Sequence, residues 1–305
     1  MLETQTTPRK SGDTAMASYR IAGQFDVHGE PSGARDLALG PFRLGMPHMD
    51  AEGVSQGWLL REACHLQWMS IAARLGVQPT EFRDRQGHRV LPSVVAATLN
   101  GDAARFREDD LCDLYLTEHP NPENGWRGQV DLVNSAGGHV LRAEIVTAFA
   151  HRAGPSNRDL APADLEAGLQ AHRDGAAARR TSVIRRLGNA QRAQARHDQD
   201  PPHRVIEIDP GSHLNGVGLV YFAAIHDMLA GTERRAIPDL VRAWPMRDRR
   251  VHFYGNLDAG DQVEITSRAR VRALTPDAHV SVVTNARRAS DGAVIAASES
   301  LYGGP

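Results

Sequence analysis

LGMPHMDAEGVSQGWLLREACHLQW, Leu44 to Trp68, and IDPGSHLNGVGLVYFAAIHDML, Ile208 to Leu229, are loose copies of one pattern. Each runs from a Pro/Gly/His turn through a Gly-Val step into an apolar stretch of helical character. Laying Gly53-Val54 on Gly216-Val217 puts Trp58 on Tyr221 and Leu59 on Phe222. After each copy a strand pattern meets an Asn/Gly/Asp loop, Val94 to Ala103 and then Val251 to Asp261. A repeat of about 165 residues is too long for a solenoid and points to duplication of one small α+β unit.

Working outward from the first copy, Val54, Trp58, Leu59, Ala63, Leu66, Met69 and Ala73 recur at three- and four-residue spacing. That spacing predicts a helix over Gly53 to Leu75, stopped by Gly76 with Pro79 beyond. Arg89 to Leu99, Leu111 to Thr117, Gly128 to Asn134 and His139 to Arg152 read as strands, the last two joined by a hairpin at Ser135 to Gly138. Around the second copy a strand over Arg204 to Asp209 precedes a helix over Asn215 to Leu229, closed by Gly231. Strands follow over Arg249 to Tyr254, Gln262 to Ala273, His279 to Arg288 and Ala293 to Leu301, with a hairpin signal at Asp291-Gly292. Between the units, Pro162 to Arg196 is rich in Ala, Arg, Gln and Glu and reads as helix. Pro162 suits its first turn, Asp164 and Glu166 suit the positive end of its dipole, and Gly175 and Gly188 are weak points. The chain divides into a polar, disordered tail (1–18), a first unit (19–154), a helical connector (155–202) and a second unit (203–305).

Bulk composition excludes more than it selects. The 305 residues suit about two domains, in line with the repeat. A net charge of −2 gives no reason to expect nucleic acid. No run approaches the roughly 18 apolar residues of a membrane span, and the first 18 residues do not form a signal peptide, so a cytoplasmic protein is expected. Two cysteines, Cys64 and Cys112, are too few for a disulfide framework and read as buried thiols.

One apolar helix followed by a meander of long antiparallel strands suits a hot-dog unit, in which the sheet wraps the helix. Tyr221 is the only residue of Val217 to Ile225 with a polar side-chain group, as such a helix requires. Two units in tandem predict a double hot dog of the α+β class, its sheets joined edge to edge so that edge strands are covered. A homodimer is compatible with this reading. GMPHM before a Gly-Val-Ser helix containing WLLRE, with HLNGVGLVYFAA in the second half, resembles the leinamycin-pathway bifunctional acyltransferase/decarboxylase family. The resemblance spans roughly Phe42 to Leu301. It implies a double hot dog that decarboxylates a methylmalonyl-CoA-like thioester and passes the acyl group to an acyl carrier protein. A tyrosine is the proposed acyl acceptor there, and this chain has none between Arg20 and Asp113.

A thioester oxygen becoming an enolate on decarboxylation needs donors fixed before the charge develops, and a helix N-terminus supplies free N–H groups. Gly53, Val54 and Ser55, and Asn215, Gly216 and Val217, hold those positions in the two copies. Ser55 and Asn215 also suit helix capping. His48 and His213, in the turns before the helices, are candidate donors or proton carriers, or else turn histidines bonded to backbone. Arg185 and Arg186 on the connector would meet the phosphates of CoA or of a phosphopantetheine arm, or else are solvated. No tightly bound cofactor is expected, and no metal motif of HxxxH or CxxC type occurs; CoA or phosphopantetheine thioesters are expected as substrates. A hot-dog dehydratase, a thioesterase with a carboxylate near a helix start (Asp50 and Glu52 are candidates), and a non-catalytic acyl-thioester or carrier-protein binding module remain as alternatives.

Overall fold

The computed structural model describes residues 37–119, 126–165, 175–198, 200–271 and 279–303. Strands are β1 (Leu37–Arg43), β2 (Met49–Asp50), β3 (Gly53–Val54), β4 (Leu91–Asn100), β5 (Leu111–His119), β6 (Trp126–Asn134), β7 (Val140–Arg152), β8 (Leu160–Pro162), β9 (Arg204–Glu207), β10 (Met246–Phe253), β11 (Gln262–Val271), β12 (His279–Arg288) and β13 (Val294–Gly303). Helices are α1 (Gln56–Leu75), α2 (Gly175–Arg196), α3 (Pro210–His213), α4 (Phe222–Ala236) and α5 (Pro238–Ala243). The tail 1–18 and the stretch Tyr19 to Val27 lie outside the described residues.

Eleven strands form one antiparallel sheet in the order β1-β5-β6-β7-β4-β10-β13-β12-β11-β9, with β8 on β7. The units meet where β4 pairs β10, from Asp248 opposite Asn100 to His252 opposite Ala96. Each unit thereby loses one free edge. Helices α1 and α4 lie on one face of the sheet. Leu59, Leu60, Ala63 and Leu66 of α1 and Ala223, Ile225, Met228 and Leu229 of α4 share one core with Leu114, Val130, Ile145, Val251 and Ile265 of the sheet. Burying each such Leu or Ile contributes about 1.5–3 kcal/mol, which explains why helices with few charges are enclosed here. The expected double hot dog is the fold observed.

The second helix starts later than its sequence suggests. Asn215 caps no helix; its Oδ1 accepts the N–H of Val217 and of Leu219, each at 3.1 Å, and folds 215–220 into a loop. Gly218 sits at φ +75° there, which its missing Cβ permits. Leu214 bridges Val220 just as Met49 bridges Val54, and His213 O accepts Tyr221 N as His48 O accepts Ser55 N. Tyr221 therefore matches Ser55, and Ala224 rather than Tyr221 matches Trp58. The Gly-Val alignment was out of register by three residues: Val220, not Val217, holds the place of Val54, and the second loop is one residue longer. In the first copy Gly53 and Val54 likewise pair as strand, and α1 starts at Gln56. Nor does Gly231 stop α4, which runs on to Ala236; one interior glycine costs only about 1 kcal/mol, less than the packing around it returns.

The connector departs from expectation at its start. Pro162 ends β8, an edge strand that tolerates a missing N–H, and the helix begins only at Gly175. Glu166 lies outside the described residues. Gly188 does not break α2: a Cβ there would sit 2.6 Å from the His252 ring, so glycine allows the helix to lie flat on the sheet. His252 Nδ1 meets Gln191 and the Tyr254 hydroxyl donates to Gly188 O, at 2.8 Å each. Along β10, Arg249, Val251 and Phe253 face α1 and α4, so His252 and α2 lie on the opposite face.

A buried ion pair within the second unit reaches the first through one hydrogen bond to Gln56. Arg249 donates to Glu233 Oε1 (2.8 Å), Gln56 Oε1 (2.7 Å) and Ser300 Oγ (2.9 Å), and Ser300 and Tyr302 donate to Glu233. Glu233→Ala would strand the guanidinium, and a loss of about 3–5 kcal/mol is expected in urea unfolding. Replacing Arg249 by Met and Glu233 by Leu together should restore most of it; a single variant as stable as the parent would contradict this account.

Candidate active site at the helix starts

The two helices run past each other in opposite directions. Asp227 of α4 meets Arg61 of α1 at 2.7 Å, and Arg234 meets Glu52 before α1 at 3.4 Å, while Tyr221 at the start of α4 reaches Cys64. Each helix start is thus covered by the body of the other helix, and the unit boundary creates two related places for an anion.

At the α1 start that place is taken by the protein itself. Ser55 Oγ accepts Trp58 N at 3.3 Å and caps the helix. Gly57 lies so close to Asp227 that a Cβ would be 2.2 Å from its Oδ1. Burial opposes the charge on Asp227, but His226 and Arg61 outweigh it and hold the carboxyl below its usual range. His48 is closed over as well, its ring 4.8 Å from Trp58 and 6.0 Å from Phe42.

The α4 start is different. Tyr221 provides no side-chain cap. No acceptor in the described residues takes the N–H of Phe222 or Ala223, though both residues are buried. Arg61, Glu62 and Cys64 of α1 act on the Tyr221 hydroxyl. Burial, then Cys64, pushes that phenol well above its ordinary range, and burial pushes the Cys64 thiol up to about 12. Neither is an anion near neutral pH. The Glu62 carboxylate has no hydrogen bond or ion pair in the described residues.

Both sequence-predicted histidines are anchored alike. His48 Nδ1 accepts Gly45 N at 2.7 Å, and His213 Nδ1 accepts Asp209 N at 2.9 Å. In the neutral ring the hydrogen must then sit on Nε2, so each presents a donor. Ser212 N and Oγ donate to Asp209 Oδ1 and hold that carboxyl below its usual range. The loop before α4 is gripped from the first unit and the start of the connector: Arg152 donates to Val217 O at 2.9 Å and Asn157 to Gly218 O at 2.7 Å.

His213, Asn215, Gly216 and Val217 therefore stand around one helix start and His48, Gly53, Val54 and Ser55 around the other, rather than all at one pocket. Asn215 shapes the loop through its amide oxygen. Arg185 and Arg186 are exposed on α2, across the sheet from both helix starts. A groove lined by Gln194, His197, Asp198, Arg268 and Asn285 also opens on that outer face. Glu62 escaped the sequence reading; its signal was a carboxylate on a helix enclosed by a sheet, where unpaired charge is uncommon.

No family model matches the chain, and no curated protein does. Solved structures do. A protein described as an oleoyl thioesterase from Lactobacillus plantarum is similar at TM-score 0.60 and 11% identity, over 86% of this chain and 94% of that one. A 12:0-ACP thioesterase from Umbellularia californica gives 0.57 and 8%, over 86% and 91%. An acyl-ACP thioesterase from Bacteroides thetaiotaomicron gives 0.54 and 10%, over 86% and 95%. At such identities the likeness shows the fold, a double hot dog. Nothing in these comparisons singles out the leinamycin-pathway family.

The thiols supply a direct check on the α4 start. With Cys64 at about 12 and Cys112 at about 11, both raised by burial, almost no thiolate exists at pH 8. Iodoacetamide is expected to leave both unlabelled in the native chain while the denatured chain reacts fully. Rapid native labelling of Cys64, read by peptide mass spectrometry, would contradict this geometry.

Proposed function

We propose that the chain hydrolyses acyl thioesters, carried by CoA or by an acyl carrier protein, at the start of α4. One observation carries this reading: α4 begins without a side-chain cap, at two buried residues, beside a Tyr221 hydroxyl that feels the charge of Glu62, a carboxylate with no hydrogen bond or ion pair among the described residues, whereas the α1 start is capped by Ser55 and lies against Asp227. A thioester oxygen placed against Phe222 and Ala223 N–H would gain most from them as it becomes an oxyanion. Glu62 takes a proton from water as the water oxygen bonds to the carbonyl carbon. The tetrahedral intermediate then collapses and the carbon–sulfur bond breaks. The departing sulfur receives a proton from Glu62 or from His213 Nε2, releasing free thiol and carboxylic acid.

The thioesterases of the same fold support hydrolysis over decarboxylation with acyl transfer. Tyr221 adds a physical argument: a phenol held neutral by burial is a poor acyl acceptor. Arg185 and Arg186 take no part in the reaction, and any grip they have on CoA or carrier phosphates is on the outer face. Among the described residues no helix is long and apolar enough to cross a membrane.

A panel of acyl-CoA and acyl-carrier thioesters separates the readings by product. Free thiol with the matching acid is expected. Carbon dioxide from a malonyl thioester would restore the decarboxylase, an enoyl thioester the dehydratase, and binding without turnover the non-catalytic module. Glu62→Gln should lower kcat by about 10²–10⁴-fold, His213→Ala less, and His48→Ala should leave turnover unchanged. If Asp209→Asn abolishes turnover and Glu62→Gln does not, the base is Asp209 and the assignment of Glu62 fails.

A further inference from the structure

A second cluster lies in the first unit, away from both helix starts. Residues 82–90 form a hairpin: Val90 N donates to Phe82 O (2.9 Å), Arg83 bridges Arg89, Asp84 N donates to His88 O (3.0 Å), and Gly87 turns the chain at φ +82°. The hairpin stands on a small apolar cluster of Ile71, Phe82, Val90 and Trp126. It sets Asp84 and His88 on one rim and turns them toward His151 near the end of β7.

The three side chains are arranged around one point. Asp84 is buried, and its Oδ1 accepts Gln86 N at 3.0 Å and His88 N at 2.8 Å. Its Oδ2 is left for two imidazoles, His88 Nδ1 at 3.2 Å and His151 Nδ1 at 3.1 Å. The rings stack with centroids 4.4 Å apart. The three ligand atoms all lie within 4.8 Å of one another. His151 Nδ1 is shut off from solvent and makes no hydrogen bond, despite its closeness to the carboxylate. His88 thus shares a hydrogen bond with the carboxylate, whereas the His151 nitrogen lies beside the same oxygen without one.

We propose that Asp84, His88 and His151 bind one divalent transition-metal cation of the zinc class. Zinc bonds of about 2.0–2.2 Å in a tetrahedron place neighbouring ligand atoms roughly 3.3–3.6 Å apart, so the observed 3.1 and 3.2 Å need only a small outward shift. Two imidazoles and a carboxylate suit zinc, cobalt, nickel or copper and disfavour magnesium and calcium, which take oxygen ligands. The backbone bonds to Asp84 Oδ1 orient the carboxylate from behind, as ligands to such ions are usually oriented. His88 is exposed, so the ion can enter and the fourth position opens to water. The site joins the α1–β4 link to the end of β7. Arg152, next to His151, grips the loop before α4, so the ion would also steady that loop.

The test uses the untagged full chain, stripped with a chelator and dialysed against zinc(II) or cobalt(II) at pH 7.5. One ion per chain with micromolar or tighter affinity is expected, together with the intense visible absorption of tetrahedral cobalt(II). Zinc should raise the thermal midpoint of the parent. His88→Ala, at an exposed position, should keep the fold and lose at least tenfold in affinity along with the zinc-induced shift. His151→Ala and Asp84→Asn should do the same wherever they remain folded. Absence of saturable uptake, uptake only at millimolar metal, or uptake unchanged in His88→Ala and His151→Ala would overturn the proposal. None of these readouts depends on thioester hydrolysis.

Discussion

The Arg249–Glu233 pair is the constraint on which the arrangement of the molecule rests. Both charges are enclosed between sheet and helices, where an unpaired ion costs several kcal/mol. Arg249 must therefore face Glu233, and its remaining donors must find Gln56 and Ser300. That single requirement fixes α4 against β10, α1 against α4, and β13 beside β10. Burial opposes the Arg249 charge, while Glu233 and Tyr302 favour it and leave its pKa raised. Such a pair adds little net stability compared with well-packed apolar residues. It does penalise any sliding of α4 along β10, because a shift of one turn would separate the charges in a dry interior.

With the helices fixed in this offset, their starts cannot be equivalent. Residues related by the internal repeat meet different partners. Gly57 faces the Asp227 carboxylate, whereas at the other start the Tyr221 hydroxyl meets Cys64 and feels the charges of Arg61 and Glu62. One start carries a side-chain cap and lies against the Asp227 carboxylate. The other has no side-chain cap and lies beside a neutral phenol near the Glu62 carboxylate. Preorganisation of this kind is destabilising in the empty protein and favourable once a developing negative charge arrives.

The fold was legible in the sequence because duplication and periodicity are carried by many residues at once. Leu59, Ala63 and Leu66 repeat a helical spacing, and the nine strands read from the sequence fall within a few residues of their positions, whereas the edge strand β1 and the short β2, β3 and β8 were not read. What was not legible depended on single atoms. Asn215 looked like a helix cap because its side chain accepts N–H groups two residues and more ahead; in a loop it does the same for Val217 and Leu219. Gly188 looked like a weak point because the ring of His252 it accommodates is 64 residues away. Glu62 carries no motif, and its meaning arises only when Tyr221 of the other unit is placed against it. Asp84, His88 and His151 include a pair at i, i+4 spacing on a hairpin rather than a helix, with the third member on a distant strand, so no spacing rule could find them.

The β4–β10 junction has a consequence for how the protein exists in solution. Two separate hot-dog subunits joined at such an edge would come apart on dilution. Here residues 155–202 run between them, so the partner edge is always present at the effective concentration set by a short tether, in the millimolar range for flexible linkers of modest length. Completion of the sheet, and with it the approach of α1 to the start of α4, is therefore an intramolecular event. The tether also frees the halves from identity: a substitution in one copy is not imposed on its mate, and one helix start can be sealed while the other stays open.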